Sequence, residues 1–206
     1  MKTVIATEGQ GEFSAFKHLF GSLVVSTGTL SSTVLRVACQ PDGPVKGIAK
    51  ACGAALRQAK ARNVELFVLV IDREQQQEPV GVLAEVLRRE LEQSGPWPFE
   101  IKVVYKDRAF ENWLVADVKA VREQRGRFDL TVAAAKKVEP NKADRTDALA
   151  ILQKAVKGKQ YEKIEDGRKI AQHLNLLRAA KNSRSLRHML HVLGVEEYAD
   201  QCRRPV

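Results

Sequence analysis

The chain has 206 residues, of which 44% are hydrophobic and 29% are charged, and its formal net charge is +9; this suits one globular domain, with or without an appendage. Its longest strongly apolar run, residues 66–71, is far too short to cross a bilayer, the N-terminus shows no export signal, and the three widely spaced cysteines form no CxxC pair. These features argue against a membrane span, a disulfide framework and a zinc site, and they predict a protein of the reducing cytoplasm.

Strands and helices are predicted to alternate over the first half of the chain. Short runs rich in Val, Ile and Phe predict strands, and apolar residues at helical spacing predict the helices between them. The predicted strands are residues 4–7, 33–38, 66–71 and 99–105, and the predicted helices are residues 12–22, 45–61 and 80–94. This alternation is typical of an α/β fold with a mostly parallel, Rossmann-like sheet that helices cover on both faces.

The strand signals stop beyond residue 108. Helices are predicted at residues 110–119, 143–156, 166–180 and 184–193, and the polar segment 124–142 is predicted to connect them to the sheet. We therefore expect an α/β domain at residues 1–123 and a basic helical C-terminal part at residues 124–206, packed on the same domain. Residues 136–206 carry 16 Lys/Arg against 9 Asp/Glu, whereas residues 1–135 carry 18 against 16. The helical part is thus the expected contact for a polyanion, although such residues are often only a solvated face.

Two groups of carboxylates are predicted to meet at one edge of the sheet. Glu8 and Glu12 flank a glycine-bearing turn after the first strand, and the third predicted strand is followed by Asp72 and Glu74. Side chains alternate along an extended chain, and parallel strands end at the same edge, so these acids can converge. Like charges held close favour a bound cation, and an all-oxygen site favours Mg²⁺ or Mn²⁺. The alternative is that Asp72 caps a turn and that Glu74 is solvated.

The order of these motifs resembles the TOPRIM domain, which topoisomerases, primases and the OLD (overcoming lysogenization defect) nucleases share. The spacing of Glu8 and Glu12 is more similar to the OLD-type branch. Residues 110–117, Phe-Glu-Asn-Trp-Leu-Val-Ala-Asp, resemble the "FEAWLLAD" block of a family of small stand-alone TOPRIM-like bacterial proteins. Further positions resemble the "PK", "Y" and "SPSF" positions of that family, namely Asn141-Lys142, Tyr161 and residues 183–186. The likeness covers nearly the whole chain.

This resemblance implies a metal-dependent nuclease that hydrolyses phosphodiester bonds in DNA or RNA. The metal ligands it implies, for one or two Mg²⁺ (or Mn²⁺) ions, are Glu8, Glu12, Asp72 and Glu74. It gives Glu8 and Glu111 catalytic roles, and it implies that Lys142 stabilises charge on the scissile phosphate. Glu111 also lies at the start of a predicted helix, where an acid interacts favourably with the helix dipole. The chain departs from the family pattern at Glu74, where Asp is usual, and at Asn141, where Pro is usual.

The same resemblance implies an effector of a bacterial phage-defence or mobile-element system with an ABC-type ATPase as partner. The residues expected to contact the nucleic acid are Lys136, Lys137, Arg145, Arg184 and Arg187. The sequence is also compatible with a homo-oligomer. One alternative is a non-catalytic nucleic-acid-binding or regulatory subunit of an ABC-type ATPase complex, in which the acids are only structural. A TOPRIM-type nucleotidyl transferase is less favoured, because so small a chain has no evident synthetic module.

Overall fold

The computed structural model of the protein describes residues 1–198, apart from the side chain of residue 196. Residues 199–206, the end of the predicted helical part, lie outside the described residues. The strands are Lys2–Thr7 (β1), Ser22–Val25 (β2), Gly28–Arg36 (β3), Leu66–Asp72 (β4) and Glu100–Lys106 (β5). The helices are Gln10–Phe20 (α1), Val45–Ala61 (α2), Val80–Gln93 (α3), Phe110–Ala116 (α4), Val118–Glu123 (α5), Val132–Val138 (α6), Ala148–Ala155 (α7), Lys163–His173 (α8), Leu176–Ala180 (α9) and Arg184–Val192 (α10).

The five strands form one sheet in the order β2-β3-β1-β4-β5. Strand β1 lies in the middle and runs parallel to both β3 and β4, β5 runs parallel to β4, and only β2 is antiparallel to its neighbour. The predicted α/β fold with a mostly parallel sheet between helices is therefore confirmed. Strands β1 and β4 are buried over nearly their whole length because helices cover both faces of such a sheet.

The two faces of the sheet have separate cores. Along β1, Val4 and Ala6 pack with α2 and α3 on one face, whereas Ile5 packs with α1 and the C-terminal helices on the other. Trp113 is fully buried in the second core, where its ring stacks on Phe16 with 5.8 Å between centroids. That core also contains residues of α7, α8 and α10, so the predicted α/β and helical parts share one hydrophobic core.

Several predicted elements differ from the structure. The strand predicted at residues 33–38 is Gly28–Arg36, and the helix predicted at residues 143–156 is a 3-10 helix at Ala143–Arg145 followed by α7. The helix predicted to reach residue 22 ends at Phe20, because a hairpin of β2 and β3 follows, with Gly28 at φ 114° just after its turn. The single helix predicted at residues 110–119 is divided at Asp117, and the one at residues 166–180 is divided before Asn175. Each of these side chains caps a new helix by accepting a backbone N–H. The predicted connection at residues 124–142 contains helix α6, which Thr131 caps.

In the described part of the chain, no helix combines the length and the apolar character that a membrane span requires.

Candidate metal centre

The candidate site lies at the carboxyl ends of three adjacent strands. Glu8 directly follows β1, Asp72 is the last residue of β4, and Lys106 is the last residue of β5. Glu12 comes from the first turn of α1. After β1 the chain continues to β2 and β3 on one side of β1, and after β4 it continues to β5 on the opposite side. The connections therefore diverge between β1 and β4, and a crevice opens between the ends of these two strands. Ligand sites of parallel sheets lie at such crevices.

Three carboxylates converge in this crevice. Glu8, Glu12 and Asp72 each offer an oxygen atom that lies within 4.8 Å of the other two. Their side chains are only 8%, 5% and 15% exposed. Three acids held this close and this deep repel one another, because little water is present to screen them. The cluster therefore needs positive charge nearby.

Lys106 supplies one positive charge. Its side chain is fully buried, and its Nζ lies 2.9 Å from Asp72 Oδ1 and 3.3 Å from Glu8 Oε1. The same ammonium also donates a hydrogen bond to Glu12 Oε1. Lys106 is not among the site residues that the sequence predicts, although it ends β5 just as Asp72 ends β4. A lysine at a strand end normally reaches solvent, so the pattern gave no reason to place it inside.

Backbone and hydroxyl donors hold two of the carboxylates in place. The Asp72 N–H donates to Glu8 Oε1 at 2.9 Å, and the Thr7 hydroxyl donates to Glu12 Oε2 at 3.2 Å. Glu8 Oε2 is buried and accepts no hydrogen bond from any described residue. A buried carboxylate oxygen without a donor is costly, and a bound cation would satisfy it. The donor set, made only of carboxylate oxygens, suits a hard divalent cation.

The protonation of the cluster reflects its surplus of negative charge. Burial raises the pKa of Asp72 to about 8 and also raises that of Glu8, and neighbouring carboxylates add to both shifts while Lys106 opposes them. Burial alone would lower the pKa of Lys106, but Asp72, Glu12 and Glu8 outweigh it and hold that pKa well above its ordinary value. Lys106 therefore stays charged, and the carboxylates retain a proton near neutral pH until another cation replaces it.

The two glycines of the turn allow close approaches at the site. A Cβ atom on Gly9 would collide with the carboxylate of Glu12. A Cβ atom on Gly11 would lie 3.3 Å from the backbone oxygen of Lys163, at the start of α8. These glycines therefore let Glu12 fold back over the turn and let α8 pack against α1.

A cavity of about 380 Å³ lies in front of the carboxylates. Glu8, Glu12 and Asp72 line it on one side, and Lys163 and Ile164 of α8 line it on another. The cavity is open to solvent, so a ligand could reach the acids. The C-terminal helices thus take part in building this site.

One protein family, described as a domain of unknown function (DUF4276), matches residues 7–194. The chain belongs to this family. The match runs from the last residue of β1 to just beyond α10 and includes the three acids, Lys106 and Lys163. No curated protein and no solved structure matches the chain.

Glu74 does not join the three acids that converge. It lines the same cavity, but the predicted alternation fails because β4 ends at Asp72 and Glu74 has φ 52°, a left-handed backbone. Its N–H donates to the carbonyl oxygen of Arg108, a residue that also has a left-handed backbone, with φ 78°.

Glu111 is buried and lines the same cavity. Its Oε1 lies 3.7 Å from Lys163 Nζ.

Lys142 does not line the cavity. Its side chain is exposed, and its Nζ lies 3.3 Å from the carbonyl oxygen of Lys136. The lysines at the candidate centre are instead Lys106, behind the acids, and Lys163, at the cavity wall. Lys163 could not have been selected from the sequence, because only the packing of α8 on α1 brings it there.

The predicted nucleic-acid contacts fall into two groups. Lys136, Lys137 and Arg145 are exposed, and Arg184 is 49% exposed with its guanidinium 2.8 Å from Asp107. Arg187 is only 3% exposed, and its guanidinium donates hydrogen bonds to protein oxygens, among them Asn141 Oδ1 at 2.9 Å. Arg187 is therefore enclosed by the fold and does not present its charge to a polyanion.

Proposed function

We propose that the protein is a Mg²⁺- or Mn²⁺-dependent nuclease of TOPRIM type that hydrolyses phosphodiester bonds in DNA or RNA. The observation that carries this proposal is the convergence of Glu8, Glu12 and Asp72 at the carboxyl edge of the sheet. A second observation is that the buried Glu8 Oε2 has no hydrogen-bond partner among the described residues. Both fit a site that is completed by a hard cation.

When bound, the cation would supply a water of lowered pKa and would stabilise negative charge on the phosphate. The residues of the chain bind and orient around it. Glu8 and Asp72 would hold the cation, and Thr7 fixes Glu12 beside them. Lys163 lines the cavity, whereas Lys142 does not, so we assign to Lys163 the contact with the substrate phosphate. An ammonium at that wall offsets the charge that develops on the phosphate during the reaction.

The exposed basic residues would hold the rest of the strand. Lys136 and Lys137 lie on α6, Arg145 lies in the 3-10 helix Ala143–Arg145, and all three would supply charge for the phosphate backbone. A role in phage defence or in a mobile element, with an ABC-type ATPase partner, is supported by the TOPRIM resemblance alone.

Cleavage assays with charge-removing variants test the proposal. The protein is incubated with plasmid, single-stranded DNA and transfer RNA in the presence of Mg²⁺ or Mn²⁺, and chelator is expected to stop cleavage. Glu8→Gln and Asp72→Asn should each abolish cleavage. The matched control is Glu65→Gln, since Glu65 is an exposed acid at the opposite end of β4. Cleavage that survives both site variants would overturn the assignment.

A non-catalytic nucleic-acid-binding subunit is the second candidate. The observation that favours it is Lys106, whose ammonium contacts all three carboxylates and could make the cluster a structural ion-pair network. In that case mobility shifts with nucleic acid should persist in chelator and weaken steeply with salt. The protein should then bind no Mn²⁺ at this cluster, which titration calorimetry can measure.

A further inference from the structure

Lys106 brings a fixed positive charge into the candidate metal centre. We propose that the centre binds one divalent cation per chain, and that the ammonium of Lys106 takes the place of a second one. This inference rests on the proposed function and specifies the occupancy of its site. It is carried by the position of the ammonium, by the charge of the cluster and by the oxygen atoms that Lys106 leaves free.

The cavity reaches the three acids but does not reach the ammonium. Glu8, Glu12 and Asp72 all line the cavity, but Lys106 does not and has no exposed side-chain surface. Its backbone is fixed because it pairs with Asp72 in the sheet and its carbonyl accepts the N–H of Arg73 at 3.0 Å. Lys106 thus binds the carboxylates from inside, and the cavity gives a mobile cation access from outside.

The charges balance for one divalent ion. Three carboxylates and one ammonium sum to −2 when the acids are ionised, and one divalent cation brings the cluster to zero. Two divalent cations would leave these four groups at +2, and the further charged residues of the cavity wall, Glu111 with Lys163 and the unclustered Glu74, would remove only one of those charges. Uncompensated buried charge is strongly unfavourable, so the second ion is disfavoured.

The carboxylate oxygens leave room for one further cation. Lys106 lies within ion-pair distance of Glu8 Oε1, Glu12 Oε1 and Asp72 Oδ1. Among the described residues, neither Glu8 Oε2 nor Asp72 Oδ1 accepts a hydrogen bond, so Glu8 Oε2 is left for the divalent cation and Asp72 Oδ1 can be shared with it. Because the two positive charges share one set of acids, Lys106 also lowers the affinity of that cation by repulsion.

Calorimetric titration with Mn²⁺, in the absence of nucleic acid, tests this inference. The wild-type protein should bind one Mn²⁺ per chain, and Asp72→Asn should abolish that binding. Lys106→Met should bind one Mn²⁺ at least tenfold more tightly than wild type, and Lys106→Arg, which keeps the charge, should not. The control is Lys102→Met, since Lys102 is a partly exposed lysine of the same strand. Two Mn²⁺ per wild-type chain at similar affinity, or weaker binding by Lys106→Met, would overturn the inference.

The variants are handled so that misfolding does not decide the result. Circular dichroism is recorded with and without Mn²⁺, because Lys106→Met leaves three acids without their counter-charge. If that variant does not fold even with Mn²⁺, the stoichiometries of wild type and Lys106→Arg decide the question. One Mn²⁺ without cleavage contradicts the nuclease and supports the occupancy. Cleavage with two Mn²⁺ ions bound supports the nuclease and contradicts the single occupancy. The absence of Mn²⁺ binding contradicts both proposals.

Discussion

The buried acids predict that the metal-free protein loses stability as the pH rises. Burial raises the pKa of Asp72 from 3.8 to about 8, Lys106 opposes this shift, and repulsion by Glu12 and Glu8 adds to it. The folded protein therefore keeps a proton that the unfolded chain releases near pH 4. Because the folded state binds more protons than the unfolded state between about pH 4 and pH 8, the free energy of unfolding falls across that window and levels off above it.

The size of this effect follows from one proton. A group that is protonated only in the folded state changes the free energy of unfolding by about 1.4 kcal/mol per pH unit, and because Asp72 is about half ionised at pH 8, the change between pH 6 and pH 8 is about 2 kcal/mol. The Asp72 side chain is only 15% exposed, so solvent screens little of it. Asp72→Asn has no proton to lose at this position and should depend on pH much less, with a remainder from Glu8, whose pKa is also raised.

Urea denaturation in chelator at pH 6, 7 and 8 measures this dependence. Wild type and the control Glu65→Gln should both lose about 2 kcal/mol over the range, and Asp72→Asn should lose less than about half of that. Excess Mn²⁺ should restore the wild-type protein at pH 8 but not the variant, because only the folded wild type binds the ion. Equal pH dependence of wild type and Asp72→Asn would refute the reasoning.

Four further substitutions separate roles within the site. Gly9→Ala should weaken Mn²⁺ binding by about tenfold or more in calorimetry, because the new Cβ displaces the Glu12 carboxylate; unchanged affinity would contradict the role of this glycine. Glu74→Gly should leave Mn²⁺ affinity within about twofold and raise the melting temperature slightly, since glycine accepts positive φ freely; lost binding would return Glu74 to the ligand set. Lys163→Ala should lower the cleavage rate about a hundredfold and Lys142→Ala less than about threefold, and the opposite order in single-turnover assays would support Lys142.

The site residues that could be predicted from the sequence are those that lie at the ends of strands. The apolar runs that become β1 and β4 identify the residues after them, and parallel strands end at one edge, so Glu8 and Asp72 could be brought together without coordinates. Glu12 followed from its place one helical turn beyond Glu8. These inferences need only the period of a strand and of a helix, which the sequence displays directly.

The residues that sequence analysis missed depend on packing between distant segments. Lys106 points inward because carboxylates from β1, α1 and β4 surround it, and a single sequence does not show that those acids converge on the end of β5. Lys163 lies at the cavity because α8 packs on α1, where Gly11 permits the approach. Glu74 was assigned from strand alternation, which its left-handed backbone interrupts. Local periodicity in the sequence carries no information on the positions of these three side chains.

The distribution of unfavourable features argues that this edge of the sheet serves a ligand. A purely structural ion-pair network is expected to balance its charges, whereas this one buries three acids against one lysine and leaves Glu8 Oε2 without a donor among the described residues. Backbone strain gathers there as well. The non-glycine residues with positive φ in the described chain are two asparagines, which tolerate that conformation, and Glu74 and Arg108, which follow β4 and β5 and hydrogen-bond to each other. Backbone strain and surplus negative charge occur together beside an open cavity. This combination is expected of a binding site, because the bound ligand offsets the free-energy cost of both.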